Sequence, residues 1–301
     1  TDGFGLGPFS ATKLEADLML TNELLRAHLR SHDACCWKFA ARRLDGELLY
    51  SNAVVEAQVL AEDFQWWKLR APQATANAVF SNQTLNIRQF RAAFCDGSLR
   101  GRAEIQCAAD NPAFQLSLEA SECDLRQLLR QIGNPNPTAS GKLKGQLALL
   151  APTMQVDSFQ GRGSLEITDG VLVEVPVFGI FSQILNMIVP GLGSASVTSA
   201  NCTYTIGNGR ARTDDLEFEM AVATVRSYGS IGLSKGDLDF RMEVQLLRSW
   251  PGLNIVTWML GKLFEYKVGG TINNPNWRPT RLPKEIMPHR ESRPTHTTET
   301  P

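Results

Sequence analysis

Two histidines stand at a spacing that could bind a metal ion. His28 and His32 are four residues apart, so a helix would place both imidazoles on one face, as in many zinc sites. No third ligand lies near them in the sequence, and a solvated helix face is the favoured interpretation. The chain also contains no GxSxG and no HExxH motif, the signatures of many serine hydrolases and zinc proteases. We therefore predict a protein without catalytic residues, metal or cofactor.

The cysteines do not form a recognisable metal or redox motif. They contain no CxxC pair, and Cys95 and Cys107 fall at opposite ends of a predicted hairpin, too far apart for a disulfide. Burial as small apolar side chains is the favoured interpretation. The six positions are Cys35, Cys36, Cys95, Cys107, Cys123 and Cys202.

Glycines and tryptophans offer two further candidate sites. The glycines of residues 3–7 resemble a dinucleotide loop, but no strand precedes them, and residues 191–194 lack the lysine of a phosphate-binding loop. Trp66 and Trp67 could bind a sugar or a membrane interface, as could Trp37. Neighbouring residues of a strand face opposite sides, so we predict one of the pair in the core and one at an edge. Trp277 is expected to pack over the end of the sheet.

The overall charge excludes a polyanion as the main partner. Lys and Arg total 30 against 31 Asp and Glu, for a formal net charge of -1 in 301 residues. Such a balance gives no electrostatic footprint for nucleic acid. Charged residues make up 20% of the chain, below the roughly 25% of an average domain, which indicates more apolar or covered surface than usual.

Alternation of apolar and polar residues is the dominant pattern. From Leu238 to Leu246 every second residue is apolar and the residues between are polar, which predicts a strand with one buried face. Residues 14–20, 143–149 and 216–220 alternate in the same way. Four dipeptides with turn chemistry separate strand-like runs, and they predict an antiparallel meander of hairpins. These dipeptides are Asp45-Gly46, Asp96-Gly97, Asp169-Gly170 and Asn208-Gly209.

Four short helices are predicted among the strands. Residues 125–132 have amphipathic spacing between an Asp124 cap and Gly133. A second helix is predicted over 23–30, and two nearly apolar helices over 177–189 and 253–264. The stretch at 177–189 is too short for the roughly 20 residues that span a bilayer, so a buried or interfacial helix is favoured. No signal peptide is expected in this segment, and residues 283–301 are expected to be disordered.

The order of elements between residues 161 and 279 is the most specific feature of the sequence. A strand running from Ser164 to Leu172 through Asp169-Gly170 precedes an apolar helix. Three strands, a second apolar helix and a closing strand with the sequence GTINNPNWRP follow. This order resembles the C-terminal region of the AsmA-like proteins, relatives of TamB and of the bridge-type lipid transfer proteins. Upstream, residues 96–101 and 123–145 resemble the looser repeat units of that family.

The resemblance implies a fold and a division of the chain. It implies a mainly β protein, with an elongated, twisted antiparallel sheet curled into a groove and three or four short helices. We expect N-terminal β-hairpin and helix repeat units at 1–140, an AsmA-like β unit with two apolar helices at 141–282, and the tail at 283–301.

The resemblance also implies a function without covalent chemistry. It implies a periplasmic protein of the bacterial envelope, tethered to the inner membrane through a segment outside this chain and involved in lipid transport or outer-membrane assembly. Phospholipid or another acyl lipid is the expected partner, with membrane proteins as further partners and no nucleic acid. The alternative left open is a scaffold that docks a partner protein without moving lipid.

Two sets of residues are candidates for these contacts. The predicted groove candidates lie on the one-sided strands, and they are Leu216, Phe218, Met220, Leu238, Phe240, Met242 and Val244. The predicted membrane- or partner-contact residues lie on the two apolar helices, and they are Phe178, Phe181, Ile184, Trp258 and Leu263.

Overall fold

The protein is mainly β in a computed structural model. The structure describes residues 4–6, 9–21, 24–36, 39–107, 113–133, 137, 139–171, 197–220, 223–246, 263–272 and 274–281. Nearly all of these residues belong to one large antiparallel sheet that does not close on itself. The predicted fold class is confirmed at this level.

The strands are long, and most are joined by short connections. In chain order they are β1 (Phe4–Leu6), β2 (Phe9–Ala11), β3 (Lys13–Thr21), β4 (Leu24–Cys36), β5 (Phe39–Ser51), β6 (Val54–Trp66), β7 (Leu69–Ser81), β8 (Thr84–Phe94), β9 (Gly97–Gln106), β10 (Ala113–Asp124), β11 (Ser140–Ala151), β12 (Gln160–Val171), β13 (Val197–Gly207), β14 (Arg210–Met220), β15 (Ala223–Gly232), β16 (Leu238–Leu246), β17 (Leu263–Thr271) and β18 (Asn274–Arg281). One α-helix, α1 (Leu125–Ile132), follows β10, and a 3-10 turn covers Val156–Ser158.

From β3 onward the sheet is a simple meander. Each strand from β3 to β18 pairs antiparallel with the next strand in the chain. β2 pairs with the far end of β4, and β1 pairs with β2. The pairing runs unbroken across residue 140, so the division into units at 1–140 and 141–282 stays a prediction.

Two of the four predicted turns are hairpin turns. Asp96 follows Cys95 in the connection from β8 to β9, and both have positive φ, 57° and 48°. Asn208 and Gly209 form the connection between β13 and β14, and both also have positive φ, 51° and 68°. Consecutive positive φ angles match the twist of the flanking strands in a two-residue hairpin, which explains why Asn, Asp and Gly occur there.

The other two predicted turns lie inside strands, which corrects the prediction. Asp45-Gly46 lies within β5, and Asp169-Gly170 lies within β12. Asp169 keeps a positive φ of 51° close to a register shift between β11 and β12, so it marks an irregularity in the pairing rather than a reversal.

Of the predicted helices, only α1 is confirmed within the described residues. Its Asp124 cap accepts a hydrogen bond from the Gln127 backbone N–H at 2.8 Å. The helix predicted over 23–30 is wrong, because residues 24–36 form strand β4. Residues 177–189 and 253–262 lie outside the described residues. Leu263 and Phe264 begin β17, so the helix predicted through them is wrong at that end.

Candidate functional site

One face of the sheet carries an unbroken line of apolar residues across fourteen strands. We name this line the central row. Every member is the direct cross-strand partner of the next, from β3 to β16. The members are Leu18, Ala27, Leu48, Ala57, Ala78, Ile87, Ala103, Leu116, Leu149, Gly161, Ile206, Ala211, Ile231 and Leu238. We name the side of the sheet that bears it the apolar face.

The opposite face of the same strands is predominantly polar. One residue away from the central row, the partners on β3 to β7 are Asp17, His28, Glu47, Gln58 and Asn77. On β12 to β16 the corresponding row is Arg162, Thr205, Arg212, Ser230 and Asp239. Because side chains alternate along a strand, this separation fixes which face can accept an apolar ligand.

Large side chains cover the glycines of the apolar face. Gly163 on β12 is paired with Tyr204 on β13, and a Cβ on Gly163 would collide with the tyrosine hydroxyl. Gly101 on β9 is paired with Leu118, whose Cδ2 would lie 2.6 Å from such a Cβ. An aromatic or aliphatic neighbour laid over a strand glycine keeps the apolar surface continuous where the glycine has no side chain.

The apolar face is open over its first strands, apart from a cluster of buried alanines on β5 to β8. Leu48, Ile87, Leu116 and Leu149 in the central row are only half-buried. In the neighbouring row of the same face, Tyr50 is 46% and Phe80 is 40% exposed. Large apolar side chains in such numbers are seldom left facing water along one continuous strip unless they contact a ligand or a partner.

The same face is closed over its last strands. Phe218, Val225 and Val244 are direct partners across β14, β15 and β16, and each is 0% exposed. Tyr266 on β17 is also buried, and its ring packs edge-on against Trp277 at 5.8 Å, as predicted for Trp277. This end of the sheet therefore has a covered core.

A cavity of about 140 Å³ lies against the open part of the apolar face. Its walls come from five neighbouring strands, β4 to β8, and include Ala34, Ala41, Leu44, Ala61, Ala74 and Phe90. The lining is almost entirely apolar and comes mainly from one face of these adjacent strands. Its volume is close to that of the roughly 150 Å³ apolar cavity known to bind benzene, so a short stretch of hydrocarbon fits.

A series of aromatic rings leads into this cavity from the end of the sheet. Trp66 stacks on Phe39 at 6.0 Å between ring centroids, with their planes 7° apart. Phe39 lies 6.2 Å from Phe64, and Phe64 lies 6.1 Å from Phe90. We name these four residues the aromatic series. Small alanines flank it, so the rings project above the surrounding apolar surface.

In comparisons with protein-family models, curated proteins and solved structures, nothing matches this chain. The candidate site therefore rests on the geometry of its own residues.

The predicted groove candidates fall in the covered part of the face. Six of the seven are buried in the hydrophobic core, and they are Phe218, Met220, Leu238, Phe240, Met242 and Val244. Leu216 is partly buried and packs against the same core. As lining of a groove these residues stay a prediction, and the open surface lies instead on β3 to β12.

Of the predicted contact residues, the structure describes only Leu263. Phe178, Phe181, Ile184 and Trp258 lie outside the described residues, and Leu263 is the first residue of β17. No helix in the described part of the chain is long and apolar enough to cross a bilayer.

His28 and His32 lie four residues apart along the extended strand β4, rather than on one turn of a helix. His28 lies on the polar face of β4, and its Nε2 is 2.7 Å from Asp45 Oδ1, while Arg30 lies 3.3 Å from its Nδ1. Both ring nitrogens are thus engaged in a surface cluster. Within the described residues no group of three His, Cys, Asp or Glu side chains could hold a metal ion.

A wider depression of about 360 Å³ lies across β10 to β14. It is lined by Glu119, Glu166 and Asp215, the kind of carboxylate grouping that an envelope hydrolase would need. Burial raises the pKa of Asp215, but hydrogen bonds from Thr203 and Thr213 outweigh it and hold that pKa below its usual range. Asp215 is therefore ionised at neutral pH and is unsuited to act as a general acid.

The cysteines are free thiols wherever their side chains are described. Burial raises the pKa of Cys95 to about 12 and that of Cys202 to about 11. Cys123 is fully buried, and burial raises its thiol pKa too. The thiolates of these three residues are scarce at neutral pH, which agrees with a packing role. Cys35 and Cys107 are exposed, so the predicted burial is wrong for them.

The tryptophan pair departs from its prediction. Trp66 is 38% and Trp67 is 58% exposed, so neither packs into the core. Trp67 lies in the turn after β6 with a positive φ of 55°, which removes it from the strand alternation on which the prediction rested. Trp37 lies outside the described residues. Sequence reasoning predicts one exposed tryptophan where the structure has two. It also misses the position of the open strip of the apolar face.

Proposed function

We propose that this protein is a non-enzymatic lipid carrier whose open apolar face holds or conducts acyl chains. The observation that carries the proposal is the central row: fourteen directly paired positions without one polar side chain, on the face opposite to a polar row. In this proposal the sheet curls so that this face forms a trough, and the cavity on β4 to β8 is part of it.

Burial energy favours an apolar occupant. Complete burial of a Leu, Ile or Phe side chain is worth about 1.5–3 kcal/mol relative to full exposure. Half-buried members such as Leu48, Ile87 and Leu116 still expose apolar surface to water, so part of that burial free energy has not yet been gained. An acyl chain that covers several of them provides the remaining burial without forming a covalent bond. Its headgroup stays in water at the edge of the trough.

The dimensions also suit lipid. From β3 to β12, where the face is open, the central row makes nine steps between strands, and at about 4.8 Å per step this part extends about 43 Å along the surface. This is longer than the roughly 30 Å hydrocarbon core of a bilayer, which two opposed acyl chains fill end to end. Acyl chains can therefore lie one after another along the row.

The order of elements supports the same assignment. The AsmA-like resemblance implies a long antiparallel sheet with an apolar inner face, and the large antiparallel sheet of the observed meander is compatible with it. We extend the proposal to a periplasmic location in a bacterial envelope, with an inner-membrane tether supplied outside this chain. Phospholipid is the proposed cargo, and envelope membrane proteins are the proposed neighbours.

Native mass spectrometry of the purified chain tests the proposal. After incubation with phospholipid vesicles and removal of the vesicles, we expect protein ions that carry one or more phospholipid molecules. Serum albumin is a positive control, and a matched soluble β protein without an apolar strip is the negative control. Protein ions free of lipid at every ratio would contradict lipid carriage and favour the alternative, a scaffold whose apolar face docks another protein.

A further inference from the structure

One end of the sheet presents four large apolar side chains to solvent. Phe39 is 43%, Trp66 is 38%, Trp67 is 58% and Ile132 is 45% exposed. Phe39 and Trp66 are direct partners on β5 and β6, Trp67 lies in the turn that follows, and Ile132 ends α1. We name these four residues the apolar tip.

Side-chain hydrogen bonds hold α1 against this turn. The Gln131 side chain accepts from the Arg70 backbone N–H at 2.8 Å and donates to the Arg70 carbonyl at 3.2 Å. It thereby takes the place of a neighbouring strand, because the pairing of β7 with β8 begins only at Ala74. Lys68 Nζ donates to the Ile132 carbonyl at 3.4 Å. The position of Ile132 beside the tryptophans is therefore fixed by the fold.

Basic side chains surround the apolar tip. Lys68 lies 5.4 Å from the centroid of the Trp67 ring, and Arg70 and Arg130 are exposed nearby. Across the described residues none of these three cations has a carboxylate within ion-pair distance. The nearby Asp63 is already paired with Arg42 at 2.5 Å. These three cations are therefore not neutralised by ion pairs with described residues, although the whole chain is nearly neutral.

We propose that the apolar tip is a membrane-contact site that inserts into the interfacial region of an anionic phospholipid bilayer. Tryptophan is enriched at the membrane interface, where its ring sits at headgroup level with an apolar body and a polar N–H. Lys68, Arg70 and Arg130 attract the anionic headgroups around it. A protein partner would need carboxylates to match the three cations and an apolar pocket for two indole rings. An anionic bilayer offers negative charge and an apolar interior over its whole surface.

The site also explains how lipid reaches the trough. Phe39 and Trp66 belong both to the apolar tip and to the aromatic series that leads to Phe64, Phe90 and the cavity. An acyl chain leaving the bilayer at the tip meets a continuous apolar path onto the open face. This role in lipid entry rests on the proposed function, whereas contact with the membrane does not.

Co-sedimentation with vesicles tests the inference on the full chain. The vesicles are made of phosphatidylglycerol and phosphatidylcholine in equal parts, and of phosphatidylcholine alone. We expect the wild-type chain to bind the anionic vesicles more tightly, and to release them at high salt because surface attraction is screened. Replacing Lys68 and Arg130 by Gln should weaken the binding about fivefold per charge. The pair Trp67→Asn and Ile132→Ser should weaken binding to both vesicle types.

A turn at the opposite end of the strands provides the matched control. Leu233 is 38% exposed in the connection from β15 to β16, and Lys235 is exposed beside it. The pair Leu233→Ser and Lys235→Gln should bind vesicles as the wild-type chain does. Thermal unfolding checks that each variant is folded, which is expected because every replaced side chain is exposed.

Three outcomes decide the inference. Loss of binding in the tip variants alone supports it. Equal binding by tip variants, control variant and wild type overturns it, as does a wild-type chain that ignores anionic vesicles. Native mass spectrometry on the same samples separates the two proposals, because bound phospholipid without vesicle binding refutes only the tip, and vesicle binding without bound phospholipid refutes only the carrier.

Discussion

Replacing Ile87 and Leu116 together by glutamate is expected to reduce the phospholipid bound per protein by at least about tenfold. Both side chains lie in the central row, on β8 and β10 with Ala103 between them. A carboxylate pressed against an acyl chain loses its hydration, and an unpaired buried charge costs several kcal/mol. A loss of about 1.4 kcal/mol is already a tenfold change in affinity.

A control with the same added charge shows whether lipid binding is lost because the central row is changed or because the protein is more negative. Asn77→Asp with Thr205→Glu also adds two negative charges, but on exposed positions of the polar face. These variants should carry as much lipid as the wild-type chain. Because Ile87 and Leu116 are only half-buried, both double variants are expected to stay folded. If the folded double variant with Ile87→Glu and Leu116→Glu binds as much phospholipid as the wild-type chain, the binding surface must lie elsewhere.

Replacing Met242 by glutamate is expected to unfold the protein or to lower its free energy of unfolding by more than about 4 kcal/mol. Met242 is 3% exposed and lies between Ser227 on β15 and Tyr266 on β17. A carboxylate there has no described cation beside it, and unpaired buried charge is among the few causes of so large a loss. Urea unfolding followed by circular dichroism measures the change.

The neighbouring polar face again offers a control for that experiment. Gln245 lies on the same strand with its side chain exposed, and Gln245→Glu should change the free energy of unfolding by no more than about 0.5 kcal/mol. If Met242→Glu is as stable as Gln245→Glu but binds less lipid, then the last strands are open as well, and the groove predicted there from the sequence is accessible. Unfolding by Met242→Glu alone marks that region as closed core.

The strands were predictable because alternation is a local signal. Residues 14–20 and 238–246 each show it within one strand, and both form strands. The segment 23–30 was misjudged because Leu25 and Leu29 suit one helical face as well as one strand face. What decides is the pairing of Leu25 with Tyr50 and of Leu29 with Gly46, which are contacts distant in sequence.

Turns and sites depended more on context. Asp-Gly tolerates positive φ in a bulge as well as in a hairpin, so Asp169-Gly170 could not be told from a turn by its residue types. The groove was predicted where alternation is strongest, on β14 and β16. Those strands are covered, while the open face includes alanine-rich strands such as β7, with Ala76 and Ala78. Whether a face is covered is set by packing between distant segments, which periodicity does not report.

The most direct measurement is photo-crosslinking from two pairs of adjacent leucines. Leu48 and Leu149 lie in the central row, whereas Leu49 and Leu150 are their neighbours on the polar face. With a benzophenone amino acid at each position in turn and phospholipid present, we expect lipid adducts from positions 48 and 149 and none above background from 49 and 150. Equal adducts from both faces, or none from 48 and 149, would contradict a lipid-bearing apolar face.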